Sequence, residues 1–478
     1  MADTELIDPR TARVRRRAEL GLVVLAGAIT VSAYLLAEIG IRNTRQTADI
    51  DFPVATVPFV GFVVTLLLVA HLAVRRLARG ADPMIVPLAA FLHGIGWVMI
   101  VRLSPRLGGL QATWSLIGIG AFVATLFVVD RVGDLRRWKY TALFAGLSLQ
   151  LLPLVPGVGF TSGGARIWVS VGPVNFQPGE FAKILLAVFF AAYLDERRDQ
   201  IRLPGQRVGF LRIPAVADLA PVLVAWGVSV VVMVGQRDLG SSLLFFTLFV
   251  VLVWLATEKT SYLVVGFGLF ALAAVAAHNM FGHVRTRVRV WLDPWPEYTG
   301  KGYQPIQALW GYAEGGLTGT GLGRGTPLTV PAAHTDFIFT TVAEELGFVG
   351  AAAVLAAFAL LVGAGMRTAL RTNRDFEKLL AAGLTTILGV QTFIIVGGVV
   401  RLVPLTGVTL PFMSYGGSSL VANYVLLALL VRISDSTARS LHEVPDTPGL
   451  MERLRAGGLR GLRTTRAARS AGHGGGAA

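Results

Sequence analysis

Between residues 281 and 350 the chain gathers residue types that do chemistry: arginines, glutamines, aromatics, glycines and, among its acids, Asp336 at the mouth of an apolar run. Arg285, Arg287 and Arg289 alternate, which suits a short extended segment or one side of a frayed helix. Gln304 and Gln307 follow, then glycines at 315, 316, 319, 321 and 323, then His334, Thr335 and Asp336. Clustered arginine attracts an anionic ligand, and glycine lets backbone approach one closely. The plainer alternatives are a flexible loop and an acid favoured at a helix start. Thr341 and Glu344 have the spacing of a capping box, and Glu345 lies beside them inside the apolar run. The phosphate-loop pattern G-x-x-x-x-G-K-[ST] is absent.

Three further polar clusters interrupt apolar sequence. Residues 163–183, GGARIWVSVGPVNFQPGEFAK, hold Arg166, Trp168, Gln177, Glu180 and Lys183. Glu180 and Lys183 are three apart and share a helical face, with Pro178 opening the helix. They either snorkel to the interface or stand at membrane depth, where an ionisable group is a functional candidate by default. Residues 235–242, GQRDLGSS, hold Gln236 and Asp238, and a helix cap is the ordinary role for that acid. Residues 401–420, RLVPLTGVTLPFMSYGGSSL, include Ser414, Gly416 and Gly417. Their prolines, glycines and hydroxyls read either as an external turn or as a broken re-entrant segment lining a polar cavity.

The elements that position these clusters are membrane spans. Of 478 residues, 54% are hydrophobic and 15% charged, with a mean hydropathy of +0.63, whereas soluble domains carry about 25% charged residues. The absence of cysteine excludes disulfides, cysteine-ligated zinc and thiol nucleophiles. Twelve apolar runs approach the spanning length of about 20 residues. They lie near 19–39, 57–75, 84–102, 112–130, 138–155, 179–195, 215–235, 239–256, 260–281, 338–363, 380–400 and 418–434. The first lacks a cleavage site and reads as a retained helix. The expected organisation is a basic cytoplasmic N-terminus at 1–18, a membrane unit at 19–435, and a disordered basic cytoplasmic tail at 436–478.

The net charge of +14 largely reflects topology, because Lys and Arg concentrate in cytoplasmic loops. Arg75, Arg76 and Arg79, then Arg131, Arg136, Arg137 and Lys139, then Arg197 and Arg198 fall in alternate loops. An even number of spans puts both termini inside and the large loop, 282–337, outside before the tenth span. All four polar clusters then face outward. Nucleic acid is excluded as a partner, since the basic residues form no recognisable binding fold.

Taken in order, GARIW with FQPGEFAK, QRDLGSS, GYQPIQ with GGLTGTGLG, AHTDFIFTTVAEELGFVG and PLTGVTLPFMSYGGSS closely resemble the SEDS family of peptidoglycan glycosyltransferases, RodA, FtsW and SpoVE. The likeness covers roughly residues 140–435, and the ending is most like RodA-type members of actinobacteria. It implies an all-α polytopic fold with two extra N-terminal spans. It further implies a lipid II substrate, polymerised outside the cytoplasmic membrane during cell elongation, and a class B penicillin-binding protein as transpeptidase partner. On the family pattern Asp336 is the essential acid. Arg166, Trp168, Gln177, Glu180, Lys183, Asp238, Arg285, Arg287, Gln304, Gln307, His334, Thr335, Ser414 and Gly416 are the matching substrate-binding candidates. The chain departs from the pattern at Ala332-Ala333 and Leu328, where some relatives carry an acid, and at Ile395 and Arg401, where Asn and Gly are common.

The chemistry implied is attack of an acceptor sugar hydroxyl on the donor anomeric carbon, with lipid diphosphate leaving. One carboxylate as general base contributes about 10²–10⁴-fold. Diphosphate needs charge stabilisation rather than a proton, which arginines or a divalent cation (Mg or Mn) supply. An acid at the end of an arginine-bearing loop is the matching pattern, with Asp336 as base. A lipid II flippase is the chief alternative, since broken helices and buried ions also suit transporters. A non-catalytic scaffold for a penicillin-binding protein is the third reading.

Overall fold

The computed structural model describes residues 9–44, 56–172, 174–202, 206–208, 211–213 and 216–441. The expectations for residues 1–8 and for most of the basic tail, from 442 onward, lie outside the described residues. Four helices open the chain: α1 (Pro9–Thr44), α2 (Thr56–Leu77), α3 (Ile85–Leu103) and α4 (Pro105–Val128). Ser104 ends α3 and caps α4 by accepting from Leu107 N, with Pro105 in the first turn, where a missing N–H costs nothing. Then come α5 (Lys139–Leu151), α6 (Gly179–Glu196), α7 (Arg198–Arg202), α8 (Val216–Gln236), α9 (Leu239–Thr257) and α10 (Ser261–Met280). The remainder is α11 (Gly282–Leu292), α12 (Tyr303–Gly315), α13 (Ile338–Arg371), α14 (Asp375–Val399) and α15 (Gly417–Ser440).

Among the described residues nine helices are long and apolar enough to cross a membrane: α1 to α4, α9, α10 and α13 to α15. The other three expected spans are also helical. In α5 there are 13 helical residues, extended by 3-10 turns at Val132–Trp138 and Leu152–Leu154. α6 is polar at both ends, with Glu180 and Lys183 at one and Asp195 and Glu196 at the other. In α8 the apolar stretch runs over Ala220–Gln236.

The fold is mostly helical, in line with the expected polytopic helical class, and carries two small sheets besides. Strands β1 (Gly159–Ser162), β2 (Ala165–Val171) and β3 (Val174–Phe176) form an antiparallel sheet, and β4 (Gln206–Val208) pairs with β5 (Leu211–Ile213). Gly163-Gly164 between β-branched and aromatic runs is a hairpin signal, and Trp168 stands opposite Phe160 across it. The expected 282–337 loop likewise contains two helices, α11 and α12. α15 runs on to Ser440 with Thr437 and Ala438 buried, past the expected end of the membrane unit at 435.

The centre of the bundle is α14 and α15, whose apolar windows are 83% and 89% buried, against 6% for α10. Small and hydroxyl-bearing residues allow this close approach, because association within lipid depends on packing rather than on escape from water. Arg432, buried in α15, donates to the carbonyls of Leu77, Leu126 and Val129 at the ends of α2 and α4. It thereby satisfies carbonyls that a helix end leaves unpaired.

Candidate active site

Between α14 and α15 the chain has no regular structure, yet Leu410, Phe412, Met413 and Ser414 are buried. Irregular backbone at such depth must find hydrogen bonds within the protein, and here it does. Leu410 N donates to Ser414 Oγ at 2.8 Å, and Ser414 Oγ donates to Thr335 O at 2.6 Å. Tyr415 N donates to His334 O at 2.8 Å, and Gln391 Nε2 donates to Thr409 O at 2.8 Å. Residues 410–414 are therefore a buried hub, whereas 401–409 are half-buried or exposed, with Leu402 at the surface.

The other clusters converge on that hub. Ser414 and Tyr415 grip the turn carrying His334, Thr335 and Asp336 by its backbone. A Cβ built on Gly407 would lie 3.6 Å from Asp336 Oδ2, and Gly407 holds φ at +78°, a region suited to glycine. Arg287 Nη1 donates to Leu405 O and Thr406 O at 3.4 and 3.1 Å. Gln177 N donates to Ser418 Oγ at 3.0 Å. Gly416, in extended backbone, leads into α15 and packs near Thr409 and Ser419.

Glu180 and Lys183 do not snorkel. Both are buried; Lys183 Nζ donates to Glu180 Oε2 at 2.6 Å and to Gln391 Oε1 at 2.7 Å. The pair thus reaches the hub through Gln391, a residue absent from the sequence-derived candidates. A lone glutamine inside an apolar span was the available signal. Asp238 is a helix cap, its Oδ1 accepting from Ser241 N at 3.0 Å at the start of α9. Burial raises its pKa, the Ser241 bonds and Arg287 lower it, and Glu180 raises it.

Helix formation by residues 282–292 separates the arginines that sequence grouped together. Arg285 and Arg289, four apart, lie on the exposed face, while Arg287 turns inward. Arg285 donates to Asn279 O at 2.9 Å, and Arg289 pairs with Glu297 at 3.6 Å. Arg287 is desolvated, which lowers its pKa, and Asp238 and Asp336 offset this. It is the cation the structure brings to Asp336.

Asp336 has no hydrogen-bond or ion-pair partner among the described residues. Burial pushes its pKa up to about 6, and the charge of Arg287 pulls it back toward the usual range. His334 makes no bond to it. Its ring meets the Tyr415 ring edge-on with centroids 6.0 Å apart, and burial lowers its pKa. Two other candidates serve backbone. Arg166 donates to the carbonyls of Pro153, Val155 and Gly159 at 2.9–3.3 Å, fastening the small sheet. Gln304 donates to Pro331 O at 3.0 Å, and Gln307 is half-buried on the same helix.

The Thr341–Glu344 capping box is not formed. Thr341 Oγ1 is buried without a partner, because α13 already begins at Ile338. Glu344 instead accepts from Thr326 N at 2.5 Å. Glu345 accepts from Gly323 N at 3.0 Å and pairs with Arg102 at 3.0 Å. The glycine-rich stretch is therefore clamped against α13, and a Cβ on Gly319 would meet Glu345 O at 2.2 Å.

A mostly helical bundle with a buried polar hub and a desolvated acid beside an arginine defines a polytopic membrane protein with a candidate catalytic site at its centre. The family model for the cell cycle proteins FtsW, RodA and SpoVE matches residues 82–439. The chain belongs to that family. It is 44% identical over 442 residues to "Peptidoglycan glycosyltransferase RodA" of Mycobacterium tuberculosis, covering 90% of this chain and 93% of that one. It is 34% identical over 330 residues to "Probable peptidoglycan glycosyltransferase FtsW" of Geobacter sulfurreducens, covering 68% and 84%. A chain from a solved peptidoglycan synthase complex superposes with a TM-score of 0.62 at 29% identity, over 75% of this chain and 98% of that one. The rod shape determining protein RodA of Thermus thermophilus gives 0.52 at 28%, over 74% and 96%.

Proposed function

We propose that this chain is a peptidoglycan glycosyltransferase that polymerises lipid II with Asp336 as general base. The observation that carries the role of Asp336 is an unpartnered, desolvated carboxylate with an inward-facing arginine beside it. In the proposed step the acceptor hydroxyl oxygen forms a bond to the donor anomeric carbon, and its proton passes to Asp336. The bond from that carbon to the diphosphate oxygen breaks, and the electron pair leaves on undecaprenyl diphosphate. Arg287 faces the developing charge, where a fixed cation in a desolvated site stabilises far more than in water. Arg285, on the exposed face of the same helix, suits an approaching diphosphate rather than the reacting atoms.

Among the described residues no three His, Cys, Asp or Glu side chains gather as a metal cage. Mg is ordinarily held through one or two carboxylates together with substrate phosphates rather than by an all-protein cage. A cation held mainly by diphosphate oxygens is the remaining form of that proposal. Titrating activity with a chelator tests it.

The site is proposed to face outward, with both termini cytoplasmic, on the distribution of loop arginines. A solved relative comes from a study of how polymerisation and crosslinking are coordinated in a synthase complex, which supports a transpeptidase of the class B penicillin-binding type as partner. An elongation role is proposed from the likeness to mycobacterial RodA. The decisive experiment is polymerisation of labelled lipid II by purified protein, alone and with the partner's transpeptidase inactivated, for wild type, Asp336→Ala and Asp336→Asn. Polymer from wild type but not from folded variants is expected. Translocation of lipid II in liposomes without polymer would move the reading to a flippase. Activity in cells that survives Asp336→Asn would favour the scaffold.

A further inference from the structure

Arg401 sits where glycine would be easier. Its φ is +60°, a left-handed conformation that a side chain makes costly. The side chain that bears this strain reaches the end of α11. Arg401 Nη2 donates to Trp291 O at 2.7 Å and Leu292 O at 3.1 Å, and Trp291 Nε1 donates back to Arg401 O at 2.9 Å. The two carbonyls belong to the last turn of the helix, which lacks intrahelical partners and favours a cation.

α11 has little else to hold it. None of its residues is fully buried, and it follows α10, the least buried of the spanning helices. Arg287 and Trp291 are four residues apart and share a face. Whatever fixes Trp291 therefore fixes the face from which Arg287 reaches Leu405 O and Thr406 O. We propose that Arg401 and Trp291 form a two-way latch that sets the rotation and depth of α11, making Arg401 a positioning residue for Arg287 at the catalytic site. The proposal rests on the function proposed above, but the latch itself can be tested without it.

The strained backbone supplies a clean variant. Arg401→Gly removes the guanidinium half of the latch, leaving the main-chain carbonyl that Trp291 Nε1 donates to, while relieving the conformation, so a melting temperature no lower than wild type is expected. In the purified full-length protein, hydrogen exchange of amides in 285–292 is expected to rise about tenfold, as two charge-assisted bonds are lost. Lipid II polymerisation is expected to lose about tenfold in kcat/KM through the same displacement. Its acidic limb should move to higher pH, because Arg287 is the charge holding the Asp336 pKa down. The other titratable and charged groups near Arg287 are Asp238 and, beyond it, Glu180, together with His283 on α11 itself and Arg237 beside His283, and none of them is substituted. Arg401→Lys keeps the charge without the planar fork and should recover only part of the loss. Trp291→Phe keeps the ring without the donor and should have the smaller effect.

Unchanged exchange in α11 overturns the latch, whatever the activity. Exchange that rises throughout the bundle together with a lower melting temperature makes Arg401 an ordinary structural residue and also overturns it. Faster exchange in α11 with kcat/KM and acidic limb unmoved overturns the positioning role. Wild type that makes no polymer refutes the proposed function instead, and leaves the exchange result to decide the latch.

Discussion

Two regions meet at the candidate site and are held in opposite ways. Asp336 is presented by backbone, on a turn pinned through Ser414 and Tyr415 to the hub between α14 and α15. Arg287 is presented by α11, a lightly buried helix hung from α10 and fastened at its end by side-chain bonds. Hydropathy does not distinguish these settings, since the barely buried α10 is at least as apolar as the buried α15. In a membrane, apolarity reports contact with either lipid or protein, whereas small and polar residues report contact with protein. In the proposed reaction, an acid held by backbone and a more loosely fastened cation would suit admission of a large lipid-linked substrate followed by closure of charge around its diphosphate.

That contrast can be broken at several points. Asp336→Asn should remove about 10²–10⁴-fold of polymerisation, the range for a general base, with melting close to wild type. If the variant still polymerises at more than a tenth of the wild-type rate, the rigid half of the comparison has no catalytic meaning. Lys183→Met should leave Glu180 buried and uncompensated, at about 3–5 kcal/mol of stability, read as a lower unfolding midpoint in detergent. An unshifted midpoint would mean the pair is not sealed within the bundle.

Ser414→Ala should deprive Leu410 N and Thr335 O of a partner. The cost is about 1–3 kcal/mol, and activity should fall with stability as the Asp336 turn loosens. Arg285→Gln, on the exposed face of α11, should stay within about 0.5 kcal/mol of wild-type stability and affect mainly KM.

pH sharpens the comparison further. Asp336 must be ionised to accept a proton, so activity should rise with pH through about 6. The stability effect has the opposite sense. A carboxyl whose folded pKa lies above its ordinary 3.8 stabilises most below that value, and the contribution is lost as pH rises through about 6. A kcat/KM profile without an acidic limb would remove Asp336 from the role of base.

Much of this was legible in sequence. Composition and run length determined a polytopic bundle, because backbone in lipid must satisfy its own hydrogen bonds and spans therefore need length. Asp336 at the start of a span and the arginines upstream of it were also visible, since a charge near a membrane span is costly enough to signal its purpose. The order of the motifs identified the family. The small sheet at 159–176 was less legible. Its short strands lie among apolar runs long enough to look like helix, although Gly163-Gly164 marked the turn.

Only the tertiary structure decided which polar residues meet. Sequence grouped Arg285, Arg287 and Arg289, and helical periodicity then sent one inward and two outward. Sequence treated Glu180, Lys183 and the 401–420 segment as separate clusters, and Gln391, from a different span, joined them. Arg166 carries a charge that suits a diphosphate, yet three carbonyls of its own neighbourhood take its donors. Residue type limits what a side chain can do, but its partner depends on contacts between segments far apart in the chain. For Asp336 the sequence supplied the carboxylate, while packing around the hub supplied the desolvation and the neighbouring arginine that would make it a base.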